Sequence, residues 1–158
     1  MKSLEFSRHM KAPTAIAWAV VSDVAGFGDV APNLTRAEVI SGAGEGMQRR
    51  CYDSRGRGWD EDCTLWEEGR RYEMRVRTET YPFPLRQMFR GFRGRWEVEP
   101  DEEGAQVRMG YEVEPSRLGE VLWFTIGRVF ERQCERLLDN WQLEIEARAA
   151  AATAGVDP

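Results

Sequence analysis

Arg49, Cys51, Trp59, Glu61 and Cys63, on two neighbouring stretches, hold most of the chemistry this chain offers. Met47, Arg49, Cys51 and Asp53 alternate along one stretch; Trp59, Glu61, Cys63 and Leu65 alternate along the next. Alternation by two places each set on one face of a strand. Ser54–Gly58, rich in Gly and Arg, reads as the hairpin between them. A tight hairpin sets Cys51 opposite a residue near Glu61, with Arg49 a diagonal or near neighbour according to register. A carboxylate buried there needs a partner or a raised pKa, and Arg49 is the partner at hand. The pair has two readings. It is a structural ion pair, or it anchors a ligand hydroxyl or carbonyl, with acid–base work as a narrower case of the second.

Other chemistry is excluded by type and spacing. His9 is the sole histidine, so neither a histidine-based triad nor a multi-histidine metal site can form. His9 reads as a surface residue. Cys51, Cys63 and Cys134 lack zinc spacing, and no cofactor or metal is expected. Gly42–Gly46 joins two strands without a following Gly-Lys-Ser/Thr, so it reads as a turn and not a phosphate loop. A net charge of −5 argues against a nucleic-acid surface. The most apolar run, Val121–Phe130, is too short to span a bilayer. The opening MKSLEFSRHMKAP holds no apolar run of a signal peptide, and the odd cysteine count fits a reducing, cytoplasmic setting.

The elements that must position these residues follow from period. Leu4, Phe6 and Met10 mark a first strand. Pro13 opens a short helix with Ile16, Trp18, Val20 and Val21. The stretch Val24–Leu34 reads as a loop with room for one helical turn. Six consecutive strands come next, and the cleanest sets Tyr72, Met74 and Val76 against Arg71, Glu73, Arg75 and Arg77. Tyr81–Pro84 reads as extended. Met88, Arg90, Phe92, Gly94, Trp96 and Val98 read as the inner face of a long strand, and Val107, Met109, Tyr111 and Val113 as that of the last. From Arg117 to Arg148, apolar residues recur every three or four positions, as in one long amphipathic helix. Gly127 within it reads as a point of close packing. Residues 1–148 make one domain, with 149–158 a frayed tail.

A curved antiparallel sheet under one long helix leaves space between the layers. Its expected lining is Arg49, Cys51, Trp59, Glu61, Cys63, Tyr72, Met74, Arg90, Phe92, Trp96, Met109, Tyr111, Trp123, Phe130 and Gln133. Tyr72, Arg90, Tyr111 and Gln133 would add polar points; Trp59, Phe92, Trp96, Trp123 and Phe130 the apolar wall.

Four segments carry a family resemblance: APTAIAWAVVSD, AEVISGAGEGMQRRCYDSRGRGWDEDCTLWEEG, GRWEVEPDEEGAQVRM and LLDNWQLEIEA. Together they resemble the SRPBCC superfamily, the START-related domains that include the polyketide cyclase/dehydrase group. The resemblance implies an α+β helix-grip fold: a seven-stranded curved antiparallel sheet around a long C-terminal helix, with short helices between the first two strands. It also implies an internal cavity for a hydrophobic small molecule such as a lipid or polyketide. Glu61 looks like an acidic residue frequent in this strand of related domains. The alternatives are a cyclase/dehydratase using Arg49, Glu61 and a tyrosine, and a protein-interaction module of chaperone-activator type. The expected partner is the small molecule, with no nucleic acid, no stable membrane insertion and a homodimer possible.

Overall fold

Strand alternation and one helical stripe build the two layers. The computed structural model describes residues 1–155. Strand β1 (Lys2–Met10) leads into helices α1 (Thr14–Val21) and α2 (Phe27–Val30). Strands β2 (Arg36–Ser41), β3 (Gln48–Tyr52), β4 (Gly58–Glu67) and β5 (Arg71–Val76) follow. A 3₁₀ turn (Thr78–Thr80) and helix α3 (Leu85–Met88) then lead to β6 (Phe89–Asp101), β7 (Gly104–Pro115) and α4 (Arg117–Ala154). The sheet has seven strands in the order β1-β7-β6-β5-β4-β3-β2. Every neighbouring pair is antiparallel, as short connections between consecutive strands require. The architecture is a helix-grip α+β fold.

Helix α4 begins where Pro115 ends the sheet. Ser116 caps it, its Oγ accepting from the Gly119 amide at 3.1 Å. The same hydroxyl donates to the Gln87 carbonyl at 2.6 Å, fastening α4 to α3. Further along, Cys134, Leu137, Leu138, Trp141 and Ile145 are buried against the sheet and α1. Nearer the start, the helix buries less: Trp123, Ile126 and Phe130 are only partly covered. The helix thus packs closely at its C-terminal half and stands off the sheet at its N-terminal half.

Two expectations need correction. The helix does not stop at Arg148 but continues through Ala154. Four alanines, strong helix formers, carry it on, supported by Arg148 donating to Glu144 and Thr153 to the Ala149 carbonyl. The end of the expected tail, 156–158, lies outside the described residues. The second correction concerns β6. Its register against β7 slips between Phe89 and Gly91, a bulge that inverts the alternation. Phe89 is therefore buried and Arg90 exposed. Met88, expected on this strand, closes α3 instead.

Gly119 marks the tightest approach of α4. A Cβ there would lie 2.1 Å from the Met88 carbonyl oxygen. Gly119→Ala is expected to lower stability by about 1–3 kcal/mol in urea unfolding, because backbone must move. Gly127→Ala, whose Cβ would meet only the Trp123 ring at 3.3 Å, should cost less. Equal stability of Gly119→Ala and the parent chain would refute this docking.

Candidate ligand cavity

The gap under the N-terminal half of α4 is a cavity of about 460 Å³. Its floor comes from the inward faces of β3 to β7, its roof from α4, and its ends from the Pro32–Leu34 loop and the Tyr81–Phe89 connection. Of the expected lining, Arg49, Trp59, Glu61, Met74, Phe92, Trp96, Tyr111, Trp123, Phe130 and Gln133 border it.

The remaining five do not, each for a local reason. Arg90 is turned out by the β6 bulge. Tyr72 is clamped beneath α1: its hydroxyl donates to the Val21 carbonyl at 2.8 Å, and its ring stacks on Trp66 and Trp96. Cys51 is fully buried in the core opposite Trp59, which covers it. Cys63 sits beside the β4 bulge, its thiol 3.2 Å from the Leu65 carbonyl. Met109 is fully buried, with the Tyr111 hydroxyl 3.8 Å from its sulfur.

Several lining residues were not foreseen. Phe27, Pro32, Asn33 and Leu34 arrive from the stretch read only as loop, and Tyr81, Leu85, Met88 and Phe89 from a stretch read as extended or misregistered. Asp53 and Val76 end the alternating faces of β3 and β5 and extend the lining beyond Arg49 and Met74. Thr125, Ile126, Val129, Cys134 and Leu137 follow from α4. Their signal was the width of the apolar stripe, which exceeds what one packed seam needs.

The polar end is an assembled cluster. Arg49 and Glu61 are directly opposed across β3 and β4, and Cys51 pairs with Trp59. The Arg49 Nη2 and Nε both donate to Glu61 Oε2, at 2.5 and 3.2 Å. Arg49 Nη1 donates to the Val24 carbonyl at 3.2 Å, and Trp59 Nε1 donates to Glu61 Oε1 at 2.9 Å. The guanidinium also lies 4.8 Å from the centre of the Phe27 ring. Arg49 is 1% and Glu61 7% exposed. Burial is the largest influence and disfavours the Arg49 charge, but Glu61, together with Cys51 and Tyr72, holds the arginine above its usual range.

Tyr81 lines the cavity beside this cluster, its ring 5.4 Å from that of Trp59. No hydrogen-bond partner meets its hydroxyl among the described residues. Burial, then the nearby Glu61 charge, push this phenol well above its usual range, so it stays protonated as a donor. Elsewhere the wall is aromatic: Phe92, Tyr111 and Phe130 meet edge to face, with centroids 4.8 to 6.0 Å apart. Burial pushes the Cys134 thiol in this wall up to about 12, so it is a poor nucleophile at neutral pH.

Comparison with known proteins agrees with the fold. The family described as "Polyketide cyclase / dehydrase and lipid transport" matches residues 1–146, and the chain belongs to it. The Zhui aromatase/cyclase from Streptomyces sp. R1128 is similar in structure, with a TM-score of 0.77 and 19% identity over 96% of this chain and 97% of that one. The di-domain ARO/CYC BexL from the BE-7585A biosynthetic pathway has a TM-score of 0.71 and 18% identity, over 92% of this chain and 47% of that one. A START superfamily protein from Mycobacterium smegmatis has a TM-score of 0.64 and 12% identity, over 95% and 98%. At these identities the likeness is one of fold. No curated protein sequence matches. The chain is thus a polyketide cyclase/dehydrase-like domain with a hydrophobic ligand cavity.

The cluster makes a sharp prediction. Arg49→Met leaves Glu61 buried without its counterion and should cost about 3–5 kcal/mol in urea unfolding. Arg49→Met with Glu61→Leu should recover most of that loss. A single variant as stable as the parent would show that the pair is not buried as described.

Proposed function

We propose that the protein binds a hydrophobic small molecule bearing a few oxygen atoms, such as a polyketide or lipid, between the sheet and α4. The observation that carries this reading is the cavity itself. Its volume falls within the range of small-molecule sites, and its wall is aromatic and aliphatic with a few polar groups at one end. Arg49 and Glu61 already satisfy each other, so they supply a fixed dipole rather than an unfilled charge. Tyr81 supplies one unpartnered donor for a ligand carbonyl; among the described residues the buried indole N–H of Trp96, also of the lining, has no partner either. A chaperone-activator module calls for a contiguous exposed apolar patch together with a small cavity; the exposed apolar residues of α4 suit the first, and a cavity of about 460 Å³ does not suit the second.

A second reading is cyclization or dehydration of a poly-β-ketone. It is favoured by the unpartnered Tyr81 hydroxyl beside the Arg49–Glu61 pair. Tyr81 would hold a carbonyl oxygen, and Glu61, released from Trp59, would accept a proton from the carbon between two carbonyls. Turnover of a poly-β-ketone thioester mimic should then be lost in Glu61→Gln, assayed below the lowered thermal midpoint that an unpaired, buried Arg49 gives this variant. Turnover unchanged by that substitution rejects the role.

The binding reading is tested by titrating the chain with fluorenone and with fluorene, a pair differing in one carbonyl, and following tryptophan fluorescence. Both should bind, fluorenone more tightly. Tyr81→Phe should weaken fluorenone binding by roughly three- to tenfold, the value of one hydrogen bond, and leave fluorene unchanged. No binding of either, together with no thermal stabilisation by fatty acids or flavonoids, would end the proposal.

A further inference from the structure

The outward face of the first half of α4 serves neither the core nor the pair at the cavity's end. Val121 is 80% exposed and Phe124 69%, with Leu118, Leu122 and Val129 also exposed. At about 100° per residue, these five side chains fall within one arc of about 160°. Arg117, Arg128, Arg132 and Arg136 share the arc. Its one acidic residue over that length, Glu135, is taken up by Arg8.

These arginines differ from the others. Most arginines of the sheet hold carboxylates, as Arg50 holds Asp60 and Arg77 holds Asp62. Arg117, Arg128, Arg132 and Arg136 hold none among the described residues. Arg128 instead lies over the Phe124 ring, 4.0 Å from its centre. In the connection that packs against the start of α4, Phe83 is 62% exposed and Arg86, also without a carboxylate among the described residues, is exposed. The apolar strip runs to the cavity, since Thr125 and Val129 belong to its lining.

Apolar side chains interleaved with arginines on one helix face match the chemistry of an anionic bilayer surface. A second copy of the same face would set arginine against arginine. No helix among the described residues is long and apolar enough to cross a membrane, so contact would be peripheral. We infer that this face of α4 docks on anionic lipid, with Val121 and Phe124 entering the acyl boundary, the arginines at phosphate level and the cavity opening toward the membrane. The inference does not depend on which molecule fills the cavity.

The test is flotation of the full chain with vesicles of phosphatidylcholine alone and of phosphatidylcholine mixed with phosphatidylserine. The chain should float with the mixed vesicles, should float far less with the neutral ones, and should be released by salt. Val121→Asp with Phe124→Asp, and separately Arg128→Glu with Arg132→Glu, should each weaken binding about tenfold or more. None of these four residues lines the cavity, so fluorenone affinity should be unchanged, which also shows that the variants fold. No flotation with anionic vesicles, or flotation that survives both double substitutions, overturns the inference. So does a dimer in sedimentation equilibrium that Val121→Asp dissociates, which would assign the face to a second copy.

Discussion

The buried pair of Arg49 and Glu61 is the constraint around which the rest is arranged. Two opposite charges on adjacent strands cannot leave water unless each is compensated. Here the compensation comes from four directions: each other, the Val24 carbonyl, the Trp59 indole and the face of Phe27. Those partners come from β3, β4, α2 and the loop before it, so the pair fixes how the helical segment sits over the open edge of the sheet. On its other side Phe27 meets Trp141 edge to face, ring centres 6.1 Å apart, so the pair sits between the cavity and the packed C-terminal half of α4.

How much of this can be read from residues alone depends on what sets each position. The Arg49–Glu61 neighbourhood is legible because both strands alternate without interruption through it, and only the hairpin register was open. Tyr52 pairing with Gly58 settles that register. Arg90 is misplaced by one bulged residue, which reverses a face without altering the hydrophobic pattern that would reveal it. Tyr72 lies on the right face but under α1, and a strand pattern carries no record of what lies above it. Tyr81 and Phe27 reach the cavity from short irregular segments that have no period to read. Cavity walls of this kind are set by tertiary placement of loops, not by local pattern.

Helix α4 does different work along its length. Its C-terminal half closes the core. Its N-terminal half roofs the cavity with Trp123, Ile126 and Phe130, and on its other side exposes Val121, Phe124 and arginines that hold no carboxylate among the described residues. One stripe wide enough for two duties accounts for an apolar pattern broader than a single packed seam. It also joins the interior space to the outer surface, so that under the proposed binding and docking a hydrophobic molecule would enter at the end of the domain that meets its source.

The central claim is that a lipophilic molecule occupies the space beneath the N-terminal half of α4, next to the buried pair. Three of the six tryptophans report on it directly. Trp59, Trp96 and Trp123 border the cavity, while the Trp18 and Trp66 indoles are held by Glu68 away from it. In a nuclear magnetic resonance titration with fluorenone, the Trp59 and Trp123 indole N–H signals should shift and those of Trp18 and Trp66 should stay in place. Shifts confined to Trp18 and Trp66, or none at saturating fluorenone, would contradict the account.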